Sequence, residues 1–281
     1  MQTIRLDVIG DPIGHSKSPI IHETVLQDLG HDYEYRKVNV KKGDLETYLD
    51  EAKRLGVCGF NITMPHKKDI MAFLDYTDTE ALLFDSVNTV RVKDGKLFGY
   101  NTDGQGFVQA IYDLDCEVNG KNVVILGAGG VASTIALKCE IGGAKKITIL
   151  NRTISAAQTI AQKLRRCLTF TGSLTPDDIN SAMPDCDILV NATPLGMCGV
   201  ENNFEDFSFL DKLKSDALVY DLIYNPEETL LLSEAKKRGF KTLNGLNMLI
   251  YQGLYADKIF LEKDLDLLCL KQKIQKKMKI F

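Results

Sequence analysis

Long hydrophobic runs are absent from the 281-residue sequence, and so is a large excess of either charge. No stretch approaches the roughly 18 uncharged apolar residues that a membrane-spanning helix needs, and the N-terminus lacks the apolar segment of a signal peptide. The 34 basic and 38 acidic side chains leave a formal net charge of −4, which gives no support to a nucleic-acid-binding surface. We therefore expect a cytoplasmic protein that has neither a membrane nor a nucleic acid as its partner.

Paired cysteine motifs are missing as well. The seven cysteines are an odd number, and no two of them have the Cys-x-x-Cys spacing of zinc sites and redox motifs. This pattern argues against a disulfide framework and a bound metal, and it predicts mostly buried free thiols. The hydrophobic fraction of 44% is sufficient for a substantial core, in one large domain or in two.

Short apolar segments alternate with amphipathic ones along most of the chain. This alternation predicts an α/β fold in which crossover helices connect parallel strands. An Asp94-Gly95 turn predicts a hairpin between strands within 86–92 and 97–100. The other predicted strands are 6–9, 33–40, 57–62, 122–126, 146–150, 187–191, 217–222 and 241–243.

Helix signals accompany these strands. Ser18 has the position of an N-cap with Pro19 in the first turn, and Gly30 would end that helix. Asp44 is expected to cap the next helix, which would end at Gly56. From Gly245 onward the pattern is helical.

A glycine-rich segment directly follows the strand predicted at 122–126. It reads Gly127-x-Gly129-x-x-Ala132 and opens a helix. Gly127 would allow the tight turn, Gly129 would let the backbone approach a pyrophosphate, and Ala132 would let the helix pack closely on the strand. The helix N-terminus would add N–H donors for the phosphates. The pattern predicts a dinucleotide site; the alternative is a structural strand-to-helix turn.

The residues after the next strand bear on the choice of cofactor. They read Asn151-Arg152-Thr153, without the carboxylate that would bind the ribose 2′-hydroxyl of NAD. Arg152 offers a planar cation to a 2′-phosphate, so NADP is favoured over NAD. The alternative for Arg152 is an ordinary surface arginine.

Three polar clusters follow strands within the first 105 residues. They hold hydroxyls, amides, one ammonium and one carboxylate, but no arginine, which predicts a polyhydroxylated substrate with a modest anionic group. Taken singly, Ser18 also fits a helix cap, Lys67 a surface charge and Asn101 a turn residue. The cluster residues are Ser16 and Ser18; Asn61, Thr63 and Lys67; and Asn88, Asn101, Thr102 and Asp103.

Taken in order, these motifs resemble the shikimate dehydrogenase family. Asn191-Ala-Thr-Pro194, Tyr224-Asn-Pro226 and Gly245-Leu-x-Met-Leu249 with Gln252 extend the resemblance. It implies a substrate-binding α/β domain at 1–102, a Rossmann-type NADP-binding domain at 103–244, and C-terminal helices at 245–281 that return to the first domain. It also implies reversible NADPH-dependent reduction of 3-dehydroshikimate to shikimate in the cleft between the two domains.

The resemblance also assigns individual roles. Lys67 and Asp103 would be the catalytic pair, and which of them delivers the proton stays open. Ser16, Ser18 and Tyr224 would hold the substrate carboxylate, and Thr63, Asn88 and Gln252 the ring hydroxyls. The implied cofactor residues are Gly127, Ala128, Gly129, Gly130 and Val131 at the pyrophosphate; Asn151, Arg152, Thr153, Ile154, Ser155 and Ala156 at the adenosine ribose phosphate; and Leu222 and Gly245 at the nicotinamide.

Two alternatives accompany this interpretation. Family members that use NADP often have a second basic residue soon after Asn-Arg-Thr, whereas this chain continues Ile154-Ser155-Ala156. That departure motivates a quinate/shikimate dehydrogenase with broader substrate range or NAD use. The other alternative is a ligand-sensing regulator, which the presence of both Lys67 and Asp103 disfavours. The protein is expected to be a monomer or a homodimer.

Overall fold

A computed structural model describes residues 3–279, which divide into two compact units. The first unit comprises the described residues up to Gly106 together with those from Ile250 onward, and the second is Phe107–Leu249. The domain limits at 102 and 244 stay predictions, since compactness alone does not test independent folding. The first two and last two residues of the chain, which the predicted domains include, lie outside the described part.

The N-terminal part of the chain supplies most of the first unit. Its elements are β1 (Ile4–Gly10), α1 (Ser18–Asp28), β2 (Tyr33–Asn39), α2 (Leu45–Leu55), β3 (Gly59–Ile62), β4 (Tyr76–Thr77), α3 (Thr79–Phe84), β5 (Thr89–Lys93), β6 (Lys96–Tyr100) and α4 (Asp103–Tyr112), with a 3-10 turn at Asp69–Phe73.

The second unit and the C-terminal helices follow. Their elements are β7 (Asn122–Leu126), α5 (Gly130–Ile141), β8 (Lys146–Leu150), α6 (Ile154–Ala161), β9 (Leu168–Gly172), α7 (Pro176–Ala182), β10 (Ile188–Asn191), a 3-10 turn at Ser208–Lys212, β11 (Leu218–Asp221), α8 (Leu230–Lys237), β12 (Lys241–Leu243), α9 (Gly245–Leu261) and α10 (Leu267–Met278). The unit boundaries fall within α4 and α9, and α10 packs against α1 in the first unit.

The first unit contains a mixed six-stranded sheet in the order β2-β1-β3-β5-β6-β4. β1 runs parallel to β2 and β3, whereas β5 is antiparallel to both β3 and β6. The predicted Asp94-Gly95 hairpin joins β5 to β6. Both of its turn residues have positive φ, at 52° and 73°, as a tight turn between twisted strands requires. Ile9, Phe60 and Val90 are fully buried in the core of this sheet.

The second unit contains an all-parallel sheet in the order β12-β11-β10-β7-β8-β9. Counted from β7, this is the dinucleotide-binding order 3-2-1-4-5-6 read from the other edge. The order reverses between β7 and β10, and a crevice at such a switch point is where this fold binds dinucleotides. The sheet confirms the predicted α/β class and the Rossmann-type unit.

Some local predictions are wrong. Ser18 is the first residue of α1 rather than its N-cap; Lys17 occupies the cap, and the Ser18 N–H donates to Ser16 Oγ at 3.3 Å. The helix end predicted at Gly30 is correct, since Gly30 follows the C-cap Leu29 with a φ of +69° and donates its N–H to Gln27 O at 3.1 Å. The pattern also fails to predict β9, because Leu168 and Phe170 are exposed on an edge strand and do not mark a core face.

The cysteines are free, as predicted, but only Cys139 and Cys186 are buried. The expectation of mostly buried thiols is therefore wrong, because the other cysteines lie on loops, strand edges and the first turn of α10. Across residues 3–279, no helix is both long and apolar enough to cross a membrane.

Candidate active site

The first sheet brings several strand ends to one edge. β1 ends at Gly10 beside the end of the parallel strand β3 at Ile62. The antiparallel strand β5 begins at Thr89, opposite Asn61 of β3, and β6 ends at Tyr100, again opposite Thr89. This alternation of strand directions places the three predicted polar clusters at the same edge, although they are far apart in the sequence.

Lys67 and Asp103 form an ion pair at this edge. Lys67 lies in the loop after β3, and its carbonyl accepts a hydrogen bond from the Val87 N–H at 2.8 Å. Asp103 is the first residue of α4. Lys67 Nζ donates to Asp103 Oδ2 at 2.7 Å, and the two side chains are 30% and 11% exposed. A charge-assisted contact of this length holds an ammonium in one place while leaving it open to a ligand.

Asn88 connects this ion pair to its surroundings. Its Nδ2 donates to Asp103 Oδ1 at 2.9 Å and to Thr102 Oγ1 at 3.0 Å, and lies 3.4 Å from Gln252 Oε1. Its Oδ1 accepts from the Thr102 N–H and from the Thr89 hydroxyl, both at 2.9 Å. The amide of Asn88 therefore sets the position of the Asp103 carboxylate and lies beside Gln252, which comes from α9.

Ser16 lies on the loop that follows β1, Ser18 is the first residue of α1, and Thr63 lies on the loop that follows β3. The Thr63 N–H donates to Ile9 O at 2.9 Å, which extends the pairing of the two strands. A Cβ at Gly10 would lie only 2.4 Å from Thr63 Cγ2, so glycine is required for this close approach. Ser16, Ser18, Thr63, Lys67, Asn88, Asp103 and Gln252 all belong to the first unit.

The glycine loop of the second unit has the predicted strand-turn-helix form. Gly127 has a φ of +107°, and a Cβ there would lie 2.8 Å from Ala192 O. Gly129 is the N-cap of α5, and a Cβ at Gly129 or Gly130 would meet no protein atom within 4 Å. Ala132 is fully buried. The loop thus combines a turn that needs glycine with open space in front of the N-terminus of α5, as a pyrophosphate site requires.

The segment predicted to bind the adenosine ribose phosphate follows β8. Asn151 Nδ2 donates to Thr153 O at 2.9 Å and closes a short turn before α6 begins at Ile154. Arg152, Thr153, Ile154 and Ser155 are exposed, whereas Asn151 and Ala156 are half-buried. The Arg152 guanidinium therefore lies at the surface next to the carboxyl end of β8.

Gly245 lies against the end of β11. A Cβ at Gly245 would be 1.9 Å from Leu222 O, and the Gly245 N–H donates to Ile223 O at 3.0 Å. Leu222 and Gly245 are therefore adjacent, as their shared prediction at the nicotinamide implies. Tyr224 follows in the same loop and belongs to the second unit, so its role at the substrate carboxylate stays a prediction.

A buried carboxyl that the sequence analysis missed supports this loop. Asp221, at the end of β11, accepts from the Thr229 hydroxyl at 2.6 Å, from Asn191 Nδ2 at 3.0 Å and from the Ile223 N–H at 3.1 Å. Burial raises the pKa of Asp221 to about 6, and the three hydrogen bonds act in the opposite direction. The signal available in the sequence was a polar residue at the end of each of two predicted buried strands, Asn191 and Asp221.

The fold and the two sets of residues define a class of protein. A Rossmann-type sheet with a glycine cradle is joined to an α/β unit that holds a lysine–aspartate pair among hydroxyls and amides. This combination is that of an α/β dehydrogenase that uses a dinucleotide. Within residues 3–279, no three His, Cys, Asp or Glu side chains are grouped as a metal site requires.

Comparison with known proteins specifies this class further. The family model for the shikimate dehydrogenase substrate-binding domain matches residues 8–90, and that for shikimate / quinate 5-dehydrogenase matches residues 109–208. A curated relative, the NADP(+) shikimate dehydrogenase of Methanocaldococcus jannaschii, is 43% identical over 257 residues, which cover 91% of this chain and 90% of the relative. The chain belongs to the shikimate dehydrogenase family.

Two solved structures illustrate the range of this fold. Shikimate 5-dehydrogenase from Listeria monocytogenes, in complex with shikimate and NAD, matches with a TM-score of 0.89 and 31% identity, covering 97% of this chain and 96% of that one. The ligand-free 5-ketofructose reductase of Gluconobacter sp. strain CHM43 matches with a TM-score of 0.87 and 32% identity over 100% of both chains.

Proposed function

We propose that the protein catalyses the reversible NADPH-dependent reduction of 3-dehydroshikimate to shikimate, a step in aromatic amino-acid biosynthesis. The observation that carries this proposal is the Lys67–Asp103 ion pair of 2.7 Å, set beside Asn88, Thr102 and Gln252. The pair provides a positioned proton donor, and the surrounding amides and hydroxyls suit a ring that carries several hydroxyl groups.

The residues of the second unit fit NADP. The open space at Gly129 and Gly130 accommodates the pyrophosphate, and exposed Arg152 is available for the 2′-phosphate. Leu222 and Gly245 would border the nicotinamide. When bound, NADPH supplies the hydride for the reduction, and NADP+ takes it up in the reverse direction.

The chain's own contribution is binding, orientation and the proton. Ser16, Ser18 and Tyr224 hold the carboxylate, and Thr63, Asn88 and Gln252 bind the ring hydroxyls. As the C3 ketone is reduced, negative charge develops on its oxygen, and the Lys67 ammonium stabilises that charge. The Lys67–Asp103 pair supplies the proton that the new hydroxyl needs, and Asp103 orients the lysine.

Replacing Lys67 tests this assignment. We expect Lys67→Ala to lower kcat for shikimate oxidation by about 100-fold or more, because it removes the positioned acid–base group. Lys68→Ala is the matched control, since Lys68 is exposed and pairs with Asp85 instead. Initial rates of NADPH formation measure both variants. Equal rates for wild type and Lys67→Ala would refute the catalytic role, and a wild type that oxidises no shikimate would refute the function.

A second candidate function is a quinate/shikimate dehydrogenase with broader substrate or NAD use. Two observations favour it: no basic residue follows Arg152 in Ile154-Ser155-Ala156, and a similar enzyme was solved with shikimate and NAD. Rates with NADP and NAD, each measured with shikimate and with quinate, distinguish the two. Comparable rates with NAD or with quinate would support the broader function.

Cellular location and assembly belong to the same proposal. The location is the cytoplasm, where the redox conditions suit seven free cysteines. The protein acts as a monomer or a homodimer on a small-molecule substrate, and its net charge of −4 disfavours nucleic acid as a partner.

A further inference from the structure

A buried ionisable pair in the first unit has no part in the proposed mechanism. His22 of α1 and Asp257 of α9 lie 2.7 Å apart, Nδ1 to Oδ1, and both side chains are fully buried. Burial raises the pKa of Asp257, and the neighbouring His22 partly offsets that effect. The pair therefore links α1 to α9. Burying two ionisable side chains costs desolvation free energy, so a role for this pair is worth seeking.

His22 stacks on the ring of Tyr35 in β2. The ring centroids are 4.8 Å apart and the planes differ by 10°. The Tyr35 ring also packs against an apolar cluster that includes Leu26 and Phe260. The ring of Tyr35 is therefore held by packing, and its position does not depend on its hydroxyl.

The Tyr35 hydroxyl takes part in hydrogen bonds on two sides. It donates to Asn61 Oδ1 at 3.0 Å, and it also bonds with the side chain of Ser18. Burial raises the pKa of Tyr35, so the hydroxyl stays protonated and remains a donor at neutral pH. Ser18 in turn contacts Ser16 through its N–H.

From Asn61 the hydrogen bonds continue to the catalytic pair. Asn61 Nδ2 donates to Thr89 Oγ1 at 3.4 Å, the Thr89 hydroxyl donates to Asn88 Oδ1 at 2.9 Å, and Asn88 Nδ2 donates to Asp103 Oδ1 at 2.9 Å. Every donor points toward Asp103, whose carboxylate can only accept. Asn61, Thr89 and Asn88 each accept one hydrogen bond of this series and donate the next. The direction of each hydrogen bond therefore depends on the preceding hydrogen bond.

We propose that Tyr35 is a positioning residue whose hydroxyl, held in place by the buried His22–Asp257 pair, orients Asn61, Thr89 and Asn88 and thereby the Asp103 carboxylate. The inference rests on the proposed function, in which Asp103 and Lys67 act on the substrate. Without the hydroxyl, Asn61 Oδ1 loses its donor in a buried position, and the amide can turn over. A turned amide no longer donates to Thr89, and Asn88 loses the bond that directs its Nδ2 to Asp103.

Tyr35→Phe tests the proposal, because it removes only the hydroxyl and retains the stacked ring. The control is Tyr33→Phe, which removes a hydroxyl from the same strand and the same apolar cluster, where its partner is the exposed Gln27. We expect Tyr35→Phe to lower kcat for shikimate oxidation about tenfold with an unchanged KM for NADP. Tyr33→Phe should leave kcat and the thermal midpoint unchanged, whereas Tyr35→Phe should lower the thermal midpoint by only a few degrees, because Asn61 Oδ1 loses its donor while the ring stays packed.

A second variant separates positioning from a general loss of packing. Thr89→Val keeps the shape of a fully buried side chain but can neither accept from Asn61 nor donate to Asn88. If Tyr35 acts through Thr89, combining Tyr35→Phe with Thr89→Val in a double variant should lower kcat no further than the more damaging of the two single substitutions does. Independent structural damage would instead multiply the two losses.

The outcomes separate this inference from the function on which it rests. A wild type that does not oxidise shikimate overturns both. If the wild type oxidises shikimate, three results would overturn the positioning role alone. They are full activity in Tyr35→Phe, an equal loss of kcat in Tyr33→Phe, and multiplied losses of kcat in the double variant.

Discussion

At the scale of single residues, Asp221 shows how a buried carboxyl makes stability depend on pH. Its native pKa of about 6 lies above the value of 3.8 for a free aspartate, because burial penalises the charged form. The native state therefore binds this proton more tightly than the unfolded state. The resulting stabilisation is complete below about pH 4 and is lost as the pH rises through 6.

Asp221→Asn makes this effect measurable. The amide oxygen can still accept from Asn191 and Ile223, but the titrating group is gone. The rise from 3.8 to about 6 corresponds to about 3 kcal/mol. We expect the free energy of unfolding of the variant, relative to wild type, to increase by up to that amount between pH 4 and pH 7. Urea unfolding at several pH values checks this, and a constant difference would contradict it.

Arg152 is the residue on which discrimination between cofactors depends. Its exposed guanidinium would pair with the 2′-phosphate of NADP, which NAD lacks. We expect Arg152→Ala to raise the KM for NADP about tenfold or more while changing the KM for NAD little. Arg166→Ala, which removes another exposed arginine of the second unit, controls for net charge. A parallel change for both cofactors would show that Arg152 does not recognise the phosphate.

At the scale of elements, the turn between β7 and α5 contains glycines that are required for different reasons. Gly127 is required by the protein itself, since its φ is +107° and a Cβ would press on Ala192 O at 2.8 Å. Gly129 has an ordinary φ of −77°, and the protein leaves the space beside it open. The backbone alone does not explain glycine at that second position.

This difference predicts opposite consequences for two similar substitutions. Gly127→Ala should lower the free energy of unfolding by about 1–3 kcal/mol, because of backbone strain and the contact with Ala192. Gly129→Ala should change stability by less than about 0.5 kcal/mol, but it should raise the KM for NADP because a methyl group would occupy the space of the pyrophosphate. Denaturant unfolding and cofactor titration measure the two quantities. An unaltered KM for NADP in Gly129→Ala would place the pyrophosphate elsewhere.

At the scale of the whole molecule, the first unit is made of two segments that are distant in sequence. Its last helix, α10, buries Leu270, Ile274 and Met278 and packs against α1. Burial of three such side chains contributes about 5 kcal/mol or more, which is comparable to the total stability of a domain. The C-terminal segment is therefore part of the core of the first unit.

Truncation after Asp266 tests this conclusion. We expect faster hydrogen exchange in residues 3–106 and unchanged exchange in 107–249, because α10 belongs to the first unit. A double Lys273→Ala/Lys277→Ala variant is the control, since it removes exposed contacts of α10 with Asp28 and Gln27 and leaves the buried side chains of the helix in place. Uniform loss of protection in both units would show that they unfold together.

How much could be predicted from the sequence differs between these scales. The strands β7 and β8 have the predicted bounds, because buried parallel strands are nearly continuous apolar runs that local composition reveals. The short edge strand β12 also has its predicted bounds, although only Leu243 of its three residues is buried. The glycine cradle was also predictable, since its spacing reflects local backbone geometry. The edge strand β9 was missed although Leu168 to Thr171 alternate between apolar and polar residues, because this alternation is short and its apolar side chains are exposed. The capping role expected of Ser18 depended on a backbone angle that the sequence does not show.

The sequence by itself determined the α/β class, the dinucleotide cradle and the types of side chain available for chemistry, because each follows from periodicity or from spacing over a few residues. Only the tertiary structure decided which of those side chains meet. Lys67 and Asp103 are brought together by strand directions, and the series from Tyr35 through Asn61 and Thr89 to Asn88 joins three segments of the chain. Such contacts depend on sheet order and register, which are long-range properties that no local pattern contains.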